Sequence, residues 1–210
     1  MENKKTTIFL MAFAVLALGG LFAYGKLHKS PSTATIAPVN QQAQNIPFDN
    51  GILIGDPNAP VVMEEYMSFL CGHCINFATQ TFPKLNDAYI KTGKMQVHVF
   101  VFPPAELQQA SLCAADQGKY EQFSQYFFTN IEKLQTADDV KTMAHESGVN
   151  TQEFDSCYDA NKFQTTAQAW MDKAQANKIT GTPTFFVNGE EISGDQPLDK
   201  FEQVIDKNLK

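Results

Sequence analysis

The part of this 210-residue chain best equipped for chemistry is a Cys-Gly-His-Cys motif at residues 71–74. A strand-like run over residues 61–67 precedes the motif, and a helical pattern follows it. In such a turn the first cysteine lies beside the unpaired N–H groups and the positive dipole end of the helix, which stabilise a thiolate. The thiolate is the form that attacks disulfides, and Cys74 is placed one turn further in to pair with Cys71. The motif therefore predicts a site of dithiol/disulfide exchange.

Other uses of a Cys-x-x-Cys motif fit the surroundings less well. A zinc site would need a second close cysteine pair or a pair of closely spaced histidines, and neither accompanies the motif. A c-type haem would need histidine after the second cysteine, where Ile75 stands. A purely structural disulfide stays open, although a histidine between the cysteines suits reactivity better than inertness. Exchange chemistry of this kind needs no metal or organic cofactor.

Composition and charge narrow the class of protein. The chain is 43% hydrophobic and 11% aromatic, which is sufficient for the core of one domain with a sizeable insertion. Its net charge is −7, and its basic residues are all lysines without a clustered patch. We therefore expect no nucleic-acid partner.

The amino-terminal residues 1–29 have the pattern of an export segment. Lys4 and Lys5 precede an apolar stretch over residues 8–24, as in a secretory signal peptide or an N-terminal membrane anchor. The stretch is long for a signal peptide and slightly shorter than the roughly 20 residues that span a bilayer. The lack of an Ala-x-Ala site favours the anchor slightly, and both interpretations place the rest of the chain outside the cytoplasm. The four cysteines beyond this segment fit an oxidising compartment.

The remaining chain divides by composition and periodicity. Residues 30–45 are rich in Ser, Thr, Ala, Pro, Gln and Asn and are expected to form a flexible tether. Residues 46–103 read as strand–helix–strand and residues 179–210 as strand–strand–helix. Between them, residues 104–178 contain helical patterns and no strand signal. The sequence therefore predicts a split α/β domain that carries an all-helical insertion.

This order of elements, with Cys-x-x-Cys at the first strand-to-helix turn, resembles the thioredoxin fold. The helical block narrows the resemblance to the DsbA-like thiol:disulfide oxidoreductases of bacterial envelopes. The match is carried by residues 65–74, by the helical block and by residues 181–189. It implies an α/β thioredoxin fold with an inserted all-helical domain. It also implies an envelope enzyme that forms disulfides in reduced or unfolded exported proteins through the redox-active pair Cys71 and Cys74.

The same resemblance implies where the enzyme acts and how it is reoxidised. The expected location is the periplasm, with attachment to the inner membrane if the amino-terminal segment is retained. The expected reoxidant is a membrane partner that passes electrons to quinone.

The resemblance assigns roles to residues outside the motif. A cis-proline faces the catalytic disulfide in this family, and Pro183 matches it. Thr182 is expected to turn its backbone toward the cysteines and to pair with an incoming substrate strand. The family has a buried acid before the first cysteine, and Glu65 occupies that place, from which it would exchange a proton with Cys74 through water. A trans proline at 183 and an exposed strand acid at 65 remain the alternatives.

The two residues inside the motif give an ambiguous indication of redox strength. An imidazole at His73 favours the Cys71 thiolate, which makes the disulfide more oxidising. Many DsbA-like oxidases have proline where this chain has Gly72, whereas Cys-Gly-His-Cys is typical of eukaryotic disulfide isomerases. An isomerase or reductase is therefore the alternative function. A peptide-binding chaperone with incidental redox activity is a third.

The other two cysteines lie in the helical block. Some DsbA-like proteins have a second disulfide in this region, so the resemblance implies a structural disulfide between Cys113 and Cys157. A regulatory redox role and free thiols remain alternatives. An aromatic run at helical spacing, beginning with Tyr120 and Phe123, favours core packing over a peptide-binding groove.

Overall fold

The computed structural model describes residues 47–210. The predicted export segment, residues 1–29, and the predicted tether, residues 30–45, lie outside these described residues. Within residues 47–210, every helix is too short or too polar to span a bilayer.

A five-stranded mixed sheet organises the domain. Its strands lie in the order β1-β3-β2-β4-β5, with β2 and β3 parallel and the other neighbouring pairs antiparallel. Strand β2 is central, so the residues that follow its carboxyl end emerge in the middle of one sheet edge. The strands are β1 (Ile52–Ile54), β2 (Val61–Met67), β3 (Met95–Val101), β4 (Thr184–Val187) and β5 (Glu190–Ser193).

The crossover from β2 to β3 is a helical segment that alternates between α and π turns. It consists of α1 (Gly72–Asn76), a π turn (Phe77–Thr81), α2 (Phe82–Leu85) and a second π turn (Asn86–Ile90). The sequence predicts one helix with a kink at Pro83. The structure instead has the wider π turn directly before Phe82 and Pro83, where proline cannot donate to the hydrogen-bond ladder.

Five α-helices and one 3₁₀ turn separate β3 from β4. The apolar spacing over residues 120–133 predicts one helix, but the structure divides it, because the Asn130 side chain donates to the Tyr126 carbonyl oxygen at 2.9 Å and competes with the backbone. The elements are α3 (Ala105–Asp116), α4 (Tyr120–Thr129), the 3₁₀ turn (Ile131–Lys133), α5 (Asp139–Glu146), α6 (Thr151–Asp159) and α7 (Gln164–Ala176). Helix α8 (Leu198–Asn208) follows β5. The predicted fold class is confirmed.

Aromatic side chains join the helical block to the sheet. Phe69, in the turn after β2, packs against Phe123 and Phe127 of α4, with ring centroids 5.9 and 5.6 Å apart. All three are fully buried. Tyr126 of the same helix faces outward and donates a hydrogen bond to Glu146. The prediction that the aromatic run packs in the core is thus confirmed for the two phenylalanines.

Helix α7 also holds the first described residues. The Trp170 Nε1–H donates to the Phe48 carbonyl oxygen at 2.8 Å, and the Thr166 hydroxyl donates to the Pro47 carbonyl oxygen at 2.9 Å. The Trp170 ring meets Phe100 of β3 edge to face, with centroids 5.7 Å apart. These contacts hold the entry to β1 against the helical block.

Candidate active site

The cysteine motif lies at the turn from β2 into α1. Cys71 has an extended backbone (φ −92°, ψ 119°) and stands immediately before the helix. Its N–H donates to the Ser68 carbonyl oxygen at 3.2 Å, and its own carbonyl accepts from the Ile75 N–H at 3.0 Å. The turn is therefore closed by backbone bonds on both sides of Cys71, which fixes where its sulfur lies.

Cys71 is a partly exposed free thiol. It donates to the Thr182 carbonyl oxygen (Sγ–O 3.2 Å), a contact that favours the thiol. Burial also raises the pKa of Cys71, but hydrogen bonds from the Thr182 side chain, from Cys74 and from the His73 backbone N–H outweigh it. The net result is a pKa below the ordinary cysteine value. Of the two sulfurs in the motif, this one is accessible and the more readily ionised.

Cys74 has the opposite environment. It is a fully buried free thiol, and burial raises its pKa to about 12, with the neighbouring Cys71 adding to the effect. The Ser68 N–H is 3.5 Å from the Cys74 sulfur. The two thiols, three positions apart, therefore differ strongly in acidity.

The loop before β4 faces this pair. The Thr182–Pro183 peptide is cis, and Pro183 is buried. The Pro183 carbonyl accepts from the Gly194 N–H at 2.8 Å, and the Thr184 hydroxyl donates to the Gly181 carbonyl at 2.8 Å. The structure thus brings the Thr182 carbonyl oxygen to within 3.2 Å of the Cys71 sulfur.

Glu65 lies on β2 between Val99 of β3 and Phe185 of β4 in the sheet register. It is 6% exposed, and burial raises its pKa to about 8. Its register neighbours carry no compensating charge, so the carboxyl group is protonated at neutral pH.

Alternation along β2 predicts that the neighbouring Glu64 faces away from Glu65 and is solvated, but the structure differs. It is half-buried, and its carboxylate pairs with Lys173 of α7 at 2.9 Å. The Tyr66 hydroxyl donates to the same carboxylate at 3.1 Å. Packing of α7 over this face of the sheet explains the difference.

The two residues between the cysteines face outward. His73 is exposed, and its ring makes no hydrogen bond within residues 47–210. A Cβ added to Gly72 would meet no heavy atom within 4 Å. Neither position is therefore constrained by packing in the free protein.

The second cysteine pair is a disulfide between α3 and α6. Cys113 and Cys157 are separated by 44 positions, and both are buried. The Gln109 side chain, 5% exposed, donates to the Cys157 carbonyl oxygen at 3.2 Å and accepts from the Phe163 N–H at 3.2 Å. This bond lies within the helical block, in a packed and hydrogen-bonded environment.

The sequence gives Tyr120 no role in the site, because its spacing marks it only as one member of an aromatic run. In the structure Tyr120 and Glu65 line the same cavity, of about 370 Å³. The only signal available in the sequence was its place at the start of α4, which does not indicate which strand it will meet.

A mixed sheet with Cys-x-x-Cys at the β2–α1 turn, opposite the Thr182–Pro183 loop, defines a thioredoxin-fold dithiol protein. The family described as Thioredoxin matches residues 48–207. The chain belongs to this family, and its relatives place it among the DsbA-like members.

Individual relatives agree with this placement. A Rickettsia felis protein named as a protein-disulfide oxidoreductase is 29% identical over 170 residues, covering 77% of this chain and 61% of that protein. The thiol:disulfide interchange protein DsbA of Dickeya dadantii is 29% identical over 152 residues, covering 68% and 72%. The crystal structure of Wolbachia pipientis alpha-DsbA1 aligns with TM-score 0.68 at 29% identity, covering 76% and 91%. This chain thus spans less than two thirds of the Rickettsia protein.

Proposed function

We propose that this protein is a thiol-disulfide oxidoreductase that forms disulfide bonds in exported proteins by exchange through Cys71 and Cys74. The observation that carries the proposal is the asymmetry of the pair. Cys71 is accessible and has a lowered pKa, whereas Cys74 is buried and has a pKa of about 12. Such a pair directs an incoming thiolate to Cys71 and makes Cys71 the better leaving group when substrate departs.

The reaction begins with the oxidised Cys71–Cys74 pair. A substrate thiolate attacks the Cys71 sulfur, the intramolecular disulfide breaks, and Cys74 leaves with the electron pair. Because the Cys74 thiol has a pKa of about 12, its thiolate takes up a proton, and the protonated carboxyl of Glu65 is the proposed donor. The second substrate thiolate then attacks the substrate sulfur of the mixed disulfide and releases the Cys71 thiolate. Substrate leaves as a disulfide, and the enzyme retains the two electrons.

Reoxidation reverses the proton transfer. Cys74 must lose its proton before it attacks a mixed disulfide at Cys71, and Glu65 in its ionised form is the proposed acceptor. A carboxyl group with a pKa of about 8 exchanges protons in both directions near neutral pH.

The roles proposed for the facing loop follow from its position. Thr182 presents its carbonyl oxygen toward the Cys71 sulfur at 3.2 Å. A substrate strand bound beside Thr182 and Pro183 would pair with this backbone and bring its cysteine to Cys71. His73, exposed at the turn, would stabilise the released thiolate.

Location and partners belong to the same proposal. The sequence of residues 1–29 supports export, with retention at the inner membrane if this segment is not cleaved. A membrane partner that passes electrons to quinone would complete the cycle. The proposed organisation is a thioredoxin-like domain from residues 46–103 and 179–210, with a helical insertion at 104–178. Cys113–Cys157 is its structural disulfide.

The proposal is tested by the reduction potential of Cys71/Cys74 and by turnover of a reduced two-cysteine peptide. A potential near −120 mV, with catalytic disulfide formation in the peptide, is the expected result for an oxidase. A potential of about −180 mV or lower, with rescue of a scrambled substrate by the reduced protein, would indicate an isomerase or reductase instead.

Gly72 is the observation that favours this second function. A Cys71→Ser/Cys74→Ser variant that still protects unfolded substrates would indicate a chaperone. The matched control is Cys113→Ser/Cys157→Ser, which leaves the Cys71–Cys74 turn unchanged.

A further inference from the structure

A cavity of about 370 Å³ lies between the central sheet, the crossover segment after Cys74 and helix α4. Its apolar wall includes Met67, Phe77 and Phe128. Among the polar side chains that line it, Glu65 comes from β2 and Tyr120 from α4. The cavity thus connects the proposed proton carrier with a residue of the helical block.

Glu65 and Tyr120 are each only 6% exposed. Within residues 47–210, neither the Glu65 carboxyl nor the Tyr120 hydroxyl donates to or accepts from another protein group. Every fully enclosed side-chain polar atom in residues 47–210 has a hydrogen-bond partner. Because the Glu65 carboxyl and the Tyr120 hydroxyl have none, they are not fully enclosed, and the cavity is the space that both line. A buried hydroxyl and a buried carboxyl are costly to leave unsatisfied, and the cavity that both line is the space through which a water could join them.

The ionisable groups around this space are few. Lys91 and Glu121 line the cavity, and Cys74 acts electrostatically on Tyr120. Lys91 pairs with Asp87 at 2.6 Å at an exposed position. The pKa of Tyr120 is raised well above its ordinary value by burial, then by the charges of Glu65 and Cys74. Its hydroxyl therefore keeps its proton at neutral pH and is available as a hydrogen-bond donor.

We propose that Tyr120 is a positioning residue that sets the acid strength of Glu65 and thereby the pH range in which Cys74 exchanges its proton. The inference rests on the proposed function, since it assigns Glu65 as the proton carrier. It adds that the helical block, through α4, tunes a step that occurs in the thioredoxin-like part of the chain.

The direction of the effect follows from hydrogen bonding. A donor aimed at a carboxyl group, directly or through one water, stabilises the ionised form and lowers the pKa. Replacing Tyr120 with phenylalanine keeps the ring and removes only the donor. Glu65 should then hold its proton to higher pH.

The experiment measures the rate at which dithiothreitol reduces the Cys71–Cys74 disulfide between pH 5 and 10, corrected for the thiolate fraction of dithiothreitol. Wild type should show an inflection set by Glu65, absent in Glu65→Gln. In Tyr120→Phe the inflection should move to higher pH by about half a unit or more. Tyr126→Phe, on the outer face of the same helix, makes the same chemical change away from the cavity and should leave it in place.

A second readout does not depend on activity. The ¹³C resonance of the Glu65 carboxyl, assigned by its absence in Glu65→Gln, should titrate at higher pH in Tyr120→Phe than in wild type. Tyr120→Met removes the same donor and should give the same shift if the phenylalanine variant does not fold.

Three results would overturn parts of this scheme in distinguishable ways. Unchanged Glu65 titration in Tyr120→Phe or Tyr120→Met would overturn the role of Tyr120 while leaving the proposed function intact. An inflection that survives in Glu65→Gln would overturn Glu65 as the proton carrier, and with it this inference. Failure of the wild type to oxidise a dithiol peptide would overturn the proposed function, whereas the ¹³C titration would still decide whether Tyr120 acts on Glu65.

Discussion

The two cysteine pairs of this chain have the same atoms in opposite surroundings. Cys71 and Cys74 are three positions apart at a turn, with one sulfur partly exposed and the other enclosed. Cys113 and Cys157 are 44 positions apart and join two packed helices. The first pair is asymmetric in acidity and access, whereas the second is buried on both sides. Reactivity in this protein therefore depends on where each sulfur lies, and a count of cysteines would not reveal it.

Removing the accessible sulfur should have the largest effect. In Cys71→Ser, oxidation of a reduced two-cysteine peptide should fall by about 10,000-fold or more, because serine cannot form the mixed disulfide. A peptide-oxidation assay in glutathione buffer measures this. Cys113→Ser/Cys157→Ser is the matched control and should keep most of the activity. Loss of activity in the control alone would reverse the roles of the two pairs.

The free energy of unfolding should depend on pH, because Glu65, on the strand that leads to Cys71, titrates differently in the folded and unfolded chain. Its pKa is about 8 in the folded chain, against 4.5 ordinarily, so the folded state binds more protons than the unfolded state between these values. The free energy of unfolding therefore falls as pH rises through this window, by about 5 kcal/mol in total. Glu65→Gln should lack this loss. Its free energy of unfolding in urea, relative to that of wild type, should therefore increase between pH 5 and pH 9.

A matched control for this prediction is Glu64→Gln. That change removes a half-exposed ion pair with Lys173 and should alter the unfolding free energy by about 1 kcal/mol or less. Parallel unfolding curves for wild type and Glu65→Gln across the pH range would contradict the assignment of Glu65 as a buried neutral acid.

The second pair should matter for stability and little for catalysis. Breaking a cross-link between positions 44 apart should lower the unfolding free energy by about 4 kcal/mol, because the unfolded chain regains loop entropy. Chemical denaturation of Cys113→Ser/Cys157→Ser against wild type, both with Cys71–Cys74 oxidised, measures the difference. If this double variant lost peptide oxidation but kept its free energy of unfolding, the second pair would be regulatory and not structural.

The smallest effect is expected inside the active motif. Gly72 is the first residue of α1, an added Cβ there has free space, and Cys71 already has the extended backbone that a residue before proline adopts. Gly72→Pro should therefore stabilise the fold by about 0.5 kcal/mol through the unfolded state. Thermal unfolding measures this change in stability. A clear destabilisation would show that the turn does not accommodate proline at position 72.

Local patterns in the sequence were sufficient for much of the fold. Strands β2 and β4 have the bounds that the sequence pattern predicts, residues 61–67 and 184–187, since alternation of side chains is a short-range signal. The π turns after Asn76 were not predicted, because a five-residue π turn barely changes the spacing of apolar residues. For the site, the motif indicated Cys71 and Cys74 as candidates, and the family resemblance added Thr182 and Glu65.

Contacts between distant segments could not be predicted from local patterns. Glu64 meets Lys173 across 109 positions, and Tyr120 shares a cavity with Glu65. Both contacts depend on how α4 and α7 pack against the sheet, which propensity and periodicity do not determine. Glu64 and Glu65 of β2 show the consequence. Alternation along the strand predicts that they point to opposite faces, but it does not predict what each side chain contacts.

The attachment of the first described residues to α7 has an optical consequence. Trp170 is the only tryptophan in the chain, and its indole N–H is bonded to the Phe48 carbonyl. Indole emission shifts to longer wavelength when water replaces such an enclosed setting. Intrinsic fluorescence will therefore monitor release of the β1 entry from α7, so this protein carries a native spectroscopic reporter of fraying at one edge of its sheet.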